Sequence, residues 1–98
     1  MQRSSTNHDA DAIASAQILA LRALAWTLAA PDRAHRLLDV TGLTPNDLKS
    51  GASERATQAA LLGFLEGYEP DLIACATDLD ERPEVLVAAR RRLDGEGA

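Results

Sequence analysis

The 98-residue sequence has one cysteine, two histidines and only one residue each of Trp, Tyr and Phe. A single cysteine, Cys75, excludes an internal disulfide and every zinc site built from several cysteines. Lysine is nearly absent, and 15 acidic residues against 10 basic ones give a formal charge of −5. Because non-specific nucleic-acid affinity comes from clustered Lys and Arg, this charge argues against a general phosphate-binding surface.

Strand-forming residues are also scarce, with three Val and three Ile against 15 Leu and 19 Ala. Alanine loses no side-chain entropy in a helix and lets neighbouring helices approach closely, whereas leucine supplies most of the apolar area. The sequence therefore predicts an all-α fold, a single compact orthogonal or bundle-like domain of five to six short helices around a central first helix. We expect the domain to span residues 9–94, between flexible ends at residues 1–8 and 95–98.

Four prolines mark the predicted starts of helices, because each is followed within two residues by an acidic side chain. Proline suits the first helical turn, and a carboxylate there faces the positive end of the helix dipole. We expect the first helix over Ala10–Ala29 and a further helix beginning at Glu54. The four helices marked by prolines are expected to begin at Pro31, at Pro45, at Pro70 and between Asp80 and Pro83. Thr44 and Asp47 have the spacing of a capping box.

The predicted first helix is apolar around most of its circumference. Asp11, Ser15 and Arg22 form a narrow polar strip, and the remaining positions are largely apolar. One side is lined by Ile13, Leu21, Leu24 and Leu28, and Ala16, Ala20 and Ala23 continue round the helix. Such a helix is either the central helix of a bundle or a helix that also presents an apolar stripe to a binding partner.

The segment Thr41–Gly51 resembles the corner of a helix-turn-helix, with a glycine turn, Thr-Pro and a new helix. A helix that reads bases needs length and positive charge, but this one begins Asn46-Asp47 and carries only Lys49. We expect a plain helical corner here. A divergent DNA-binding module is the alternative function.

Few residues have the chemistry that an active site requires. Cys75 lies in an apolar segment without a neighbouring base, and free cysteines are usually buried. His35 and Asp39 are four residues apart and could pair on one helix face, as exposed pairs ordinarily do. The sequence lacks a phosphate-binding glycine loop and a nucleophile elbow. We therefore expect a protein that is not an enzyme and uses no cofactor or metal, and a small enzyme is a second, weaker alternative.

The residues selected as interaction candidates are Trp26, Arg22, Arg90 and Arg91. Trp26 lies at the border of the polar strip, where it is either a core residue at the edge of the bundle or an anchor for a partner. The run Arg90-Arg91-Arg92 falls near a predicted helix C-terminus, where basic side chains complement the dipole. The same run could instead contact an acidic partner or nucleic acid.

The longest apolar stretch, from Ile18 to Ala30, contains Arg22 and Thr27 and is shorter than the ~20 residues that span a bilayer. The polar start of the sequence does not have the order of a signal peptide. We expect a cytoplasmic protein that binds a protein partner or a second copy of itself, with nucleic acid and membrane as unfavoured partners.

Several segments together resemble an uncharacterised family of small bacterial, chiefly alphaproteobacterial, helical proteins. The segments are Ala20–Trp26, Ala30–Arg33, Leu37–Leu48, Gly63–Leu65 and Pro83–Arg90, and the similarity extends over roughly Ile18–Leu93. It weakens around Ser50–Gln58, where the fourth helix should start. The resemblance implies a compact helical domain and supplies no catalytic residue.

Overall fold

The computed structural model describes residues 3–95, with side chains from residue 10 onward. Within that range the chain forms six helices and is all-α, as predicted. They are α1 (Arg3–Leu28), α2 (Pro31–Thr41), α3 (Pro45–Gly51), α4 (Arg55–Glu66), α5 (Glu69–Asp78) and α6 (Pro83–Leu93). The predicted flexibility of residues 1–2 and 96–98 falls outside the described residues.

All four prolines lie in the first turn of a helix, so the predicted starts of α2, α3, α5 and α6 are confirmed to within a few residues. The capping box of α3 is present as well. The Asp47 amide donates to Thr44 Oγ1 at 3.0 Å, and the Thr44 amide donates to Asp47 Oδ2 at 2.9 Å. These starts depend on local chemistry, and local chemistry can be seen in the sequence.

The start of α1 was predicted too late. The helix begins at Arg3 instead of Ala10, and the backbone of residues 3–8 belongs to it. Residues 3–10 contain neither glycine nor proline, and extending an existing helix costs far less than nucleating one. The predicted first residue, Ala10, therefore lies inside the helix.

Helix α1 is central, since it packs against α2, α4, α5 and α6. The side that it buries is the alanine side, with Ala16, Ala20 and Ala23 at most 5% exposed. The neighbouring helices do not cover α1 on every side, because Leu21 and Leu28 are exposed. Short side chains allow α4 and α6 to lie close to the α1 backbone, so the leucine side of the helix is left on the surface.

The rest of the core comes from leucines on the helices that surround α1. Helix α4 contacts α1, α2, α5 and α6. The fully buried leucines are Leu37 of α2, Leu61, Leu62 and Leu65 of α4, and Leu86 of α6. They form one continuous cluster with the alanine side of α1, so the residues described by the structure share a single core.

Helix α3 lies at the edge of the domain, where Leu48 and Gly51 are its buried residues. A Cβ at Gly51 would come within 2.6 Å of Thr57 Oγ1, so glycine is needed for this close approach to α4. Gly63 is different, since a Cβ there would make an ordinary 3.6 Å contact with Arg90 Cδ. Packing therefore does not require glycine at position 63.

Among residues 3–95 no single helix is both long and apolar enough to cross a bilayer. Residues 10–28 of α1 together with α2 reach the required length and composition, but a bend of 116° separates the two helices.

Candidate interaction surface

A row of apolar side chains runs along the outer side of α1, opposite its alanine side. Ile18 is 60% exposed, Leu21 41% and Leu28 44%. The exposed alanines Ala14 and Ala25 complete the row. The five positions are separated alternately by four and three residues, which is the spacing of the apolar seam in a coiled coil. We call these five residues the α1 strip.

An apolar groove of about 450 Å³ lies beside the α1 strip, between α1, α2 and α3. Leu28 belongs to both features, so the groove and the strip are continuous. The residues that line the groove are Leu24, Leu28, Ala34, Leu38, Pro45, Leu48, Lys49 and Ala52. Lys49 is exposed and is the only charged residue among them. The structure therefore presents one extended apolar surface with a single cation at its edge.

Trp26, the strongest interaction candidate from the sequence, has partners within the chain. Its indole Nε1 donates to Asp78 Oδ2 of α5 at 2.6 Å. The Arg33 guanidinium carbon lies 3.6 Å from the ring centroid, and the same group donates to the Trp26 carbonyl oxygen. A cation stacked on a tryptophan and partly removed from water stabilises by about 1–2 kcal/mol. The Trp26 side chain therefore joins α1 to α2 and α5 and is half-buried.

Three arginine side chains bind backbone carbonyl groups near the ends of other helices. Arg22 donates to the Leu79 oxygen at 2.9 Å, and its second nitrogen lies 4.0 Å from Glu81. Arg55 donates to the Arg92 oxygen at 3.0 Å, and Arg33 makes the equivalent bond at the end of α1. The last carbonyls of a helix have no partner within it, so these bonds satisfy acceptors and favour the dipole. No sequence motif marks such long-range pairs.

The arginine run on α6 does not form one patch. Arg90 donates to Glu66 of α4 and, at 2.6 Å, to Asp94. Arg91 is exposed and lies in a shallow depression on α6, together with Pro83, Glu84, Val87, Ala88 and Arg92. The structure thus places Arg22 and Trp26 at the end of α5 and Arg90 at the α4–α6 contact. The four predicted interaction residues are not brought together.

The corner between α2 and α3 has a glycine turn, as the sequence predicts. Gly42 has a positive φ of 75°, and its amide donates to the Leu38 oxygen at 2.9 Å. Helix α3 has only seven residues, Leu48 faces the core, and Asp47 is used in the capping box. Lys49 is the single cation on α3. A base-reading helix needs more length and more positive charge than this.

The proposed catalytic residues also lie apart. His35 and Asp39 are both exposed, and among the described residues no hydrogen bond or ion pair joins them. The described residues contain no group of three His, Cys, Asp or Glu placed to hold a metal ion. Cys75 is buried, and burial raises the pKa of its thiol from 9.0 to about 11.

The raised pKa of Cys75 leads to two expected results. The native protein should react slowly with a thiol reagent, because a buried thiol reacts only when the structure opens. Between pH 9 and pH 11 the unfolded chain releases the thiol proton while the folded chain keeps it. Stability should therefore fall as the pH rises through this window. Urea unfolding at several pH values would show this slope in the wild type and a smaller slope in Cys75→Ala.

Other exposed apolar side chains lie away from the α1 strip. Val40, Tyr68 and Ile73 are exposed on or beside α2 and α5. Tyr68 is next to an ion pair, since Arg36 and Asp71 lie 2.7 Å apart and the Arg36 guanidinium is 5.2 Å from the Tyr68 ring. Val40 and Tyr68 line one depression of about 390 Å³, together with Arg36, Gly63, Phe64 and Gly67. It is smaller than the groove beside the α1 strip.

Within residues 3–95, then, the protein is an all-α domain of six short helices, with a core built on the alanine side of α1 and an apolar surface on its leucine side. The chain belongs to the family described as "Protein of unknown function (DUF3572)", whose model matches residues 13–96. No curated protein and no solved structure matches the chain.

Proposed function

We propose that this protein is a non-enzymatic interaction protein that binds a helix through the α1 strip and the adjoining groove. The observation that carries the proposal is the exposure of Ile18, Leu21 and Leu28 in one row on a helix that is otherwise central to the fold. Helix-in-groove recognition uses apolar anchors at this kind of spacing.

Burial of this surface would contribute to the free energy of binding, and contacts in the groove are needed as well, because association costs about 4–15 kcal/mol of translational and rotational freedom. The exposed fractions of Ile18, Leu21 and Leu28 add up to about one and a half complete side chains. Burying that much apolar surface contributes roughly 2–4 kcal/mol, and the groove leucines add to it. Leaving the surface in water has no evident benefit for the isolated domain.

The state of the reactive residues supports a non-catalytic role. A thiol with a pKa of about 11 is protonated at neutral pH and is a poor nucleophile. His35 has no partner within the described residues that would orient or activate it. The arginines near Trp26 bind backbone carbonyls and ion-pair partners of the same chain, which reduces their capacity to bind an external substrate.

The test compares three versions of the folded domain as bait in an extract of the native cell. They are the wild type, the double variant Leu21→Glu/Leu28→Glu, and the control Val40→Glu, which adds a charge at an exposed residue outside the strip. We expect a specific protein to bind the wild type and the control and to be lost with the double variant. Its purified form should bind with at least ~10-fold lower affinity to the double variant.

Circular dichroism would first establish that all three baits are folded. Equal binding by the double variant and the wild type would contradict the proposal. So would the absence of any binding protein together with a wild-type domain that stays monomeric in solution.

A further inference from the structure

We infer that the groove between α1, α2 and α3 binds a long-chain carboxylate, with the hydrocarbon chain in the groove and the carboxylate beside Lys49. The inference goes beyond the proposed function, because it concerns a small molecule and needs the groove without the rest of the α1 strip. Leu28 belongs to both features, so a partner helix and the carboxylate would compete for this end of the surface.

The size and lining of the groove fit a single hydrocarbon chain. Its volume is about 450 Å³, in the lower part of the range of roughly 300–1,000 Å³ that small-molecule sites occupy. Every lining residue except Lys49 is apolar. A sugar, a nucleotide or another polar molecule would lose its hydrogen bonds to water in such a groove without finding replacements. The lining therefore favours a ligand with an apolar body.

Lys49 determines the charge of the head group that this ligand should carry. Among the residues that the structure describes, no ion pair joins its ammonium group to an acidic side chain. A single ammonium group is a point charge that matches one negative charge, whereas the planar fork of arginine binds phosphate through two hydrogen bonds. No arginine lines the groove. The groove therefore favours a carboxylate over a phospholipid.

The wall of the groove that carries Lys49 is also the least firmly packed one. Leu48 and Gly51 are the buried residues of α3, and Leu48 itself lines the groove. The other two walls, α1 and α2, contact each other and α4. A chain in the groove would cover Leu24 and Leu38, which are half-buried, and would add apolar contacts to α3. We therefore expect α3 to adjust its position to the chain and to be stabilised by it.

Isothermal titration calorimetry of the purified full chain with octanoate, decanoate and dodecanoate tests the inference. Each carboxylate is kept below the concentration at which it forms micelles. We expect saturable binding that tightens about four-fold with each added CH₂ until the groove is filled, because each CH₂ leaves water. The uncharged 1-decanol has a chain of the same length as decanoate and should bind more weakly, because it cannot pair with Lys49.

Three variants, each first shown by circular dichroism to be folded, locate the site. Ala34→Phe fills the groove with an aromatic ring and should lower the affinity for decanoate at least ~10-fold. Its matched control is Ala14→Phe, the same change at an exposed residue of the α1 strip outside the groove, which should bind like the wild type. Lys49→Glu should weaken decanoate binding at least ~10-fold and leave 1-decanol binding unchanged, because only the carboxylate is repelled.

Three results would overturn the inference. They are the absence of saturable binding for all three carboxylates, equal affinity of the wild type and Ala34→Phe for decanoate, and a Lys49→Glu variant that binds decanoate as well as the wild type does. A chain that binds no carboxylate but captures a protein through the α1 strip would overturn the ligand and leave the proposed function standing. Carboxylate binding without any protein partner would support the ligand and contradict the proposed function.

Discussion

Replacing Leu65 with alanine is expected to lower the free energy of unfolding by about 2–5 kcal/mol. Leu65 has no exposed surface and lies on α4, the helix that contacts α1, α2, α5 and α6. The substitution removes buried methyl groups and leaves a cavity that four surrounding helices cannot easily close. A domain of this size has a total stability of only about 5–15 kcal/mol, so the loss is a large fraction of it.

Urea unfolding followed by circular dichroism measures this effect. The control is Leu28→Ala, the same chemical change at a residue that is 44% exposed. We expect it to cost less than about 1 kcal/mol. Similar losses for the two variants would show that the assignment of the core is wrong.

The second large effect is expected from Ala23→Leu. Ala23 is completely buried on the alanine side of α1, where α4 and α6 pack against the helix. The larger side chain must push these helices apart, and overpacking of a well-filled core typically costs about 1–3 kcal/mol. The protein should unfold at a lower temperature even though leucine is a good helix former and is more apolar than alanine.

Ala25→Leu is the matched control, since Ala25 is exposed on the α1 strip two residues away. It should leave the stability of the domain nearly unchanged, because the added side chain points to the solvent. Thermal unfolding of the two variants and the wild type, followed by circular dichroism, measures the difference. An Ala23→Leu variant as stable as Ala25→Leu would contradict the close packing of α1.

The helix starts were predictable because their chemistry is local. Each proline carries its own fixed φ, and the Thr44–Asp47 capping box forms between residues three apart in sequence. The start of α1 was harder to place, because nothing near Asp9 or Asp11 prevents a helix from extending further toward the N-terminus. A capping residue allows a helix to begin at its position. Only a residue that disfavours helix, such as proline or glycine, keeps an existing helix from extending further.

The buried side of α1 could not be read from the sequence. Both sides of α1 are apolar, since the buried side carries Leu19 and three alanines and the exposed side carries Ile18, Leu21 and Leu28, so a burial scale based on residue size does not favour the alanine side. The structure buries the alanine side because helix spacing decides the packing, and helix spacing is a property of the whole domain. That reversal left Ile18, Leu21 and Leu28 on the surface, and with them the candidate interaction surface.

The hydrogen-bond partners of Trp26 and Arg22 could not be predicted from the sequence either. Asp78 and Leu79 are more than 50 residues away in sequence, and a hydrogen bond from an arginine to a backbone carbonyl leaves no residue pattern. The sequence placed Trp26 correctly at the border of the polar strip. Only the position of α5 shows that its indole is hydrogen-bonded within the chain.

Helix α3 has few buried side chains that hold it to the rest of the domain, and it lies beside the candidate interaction surface. Leu48 supplies most of the apolar burial of this seven-residue helix, roughly 1.5–3 kcal/mol. Ordering each backbone residue costs about 1–2 kcal/mol, so α3 should detach at a lower free energy than global unfolding requires. Its departure would remove one wall of the groove and expose Leu24, Leu38 and Leu48 together.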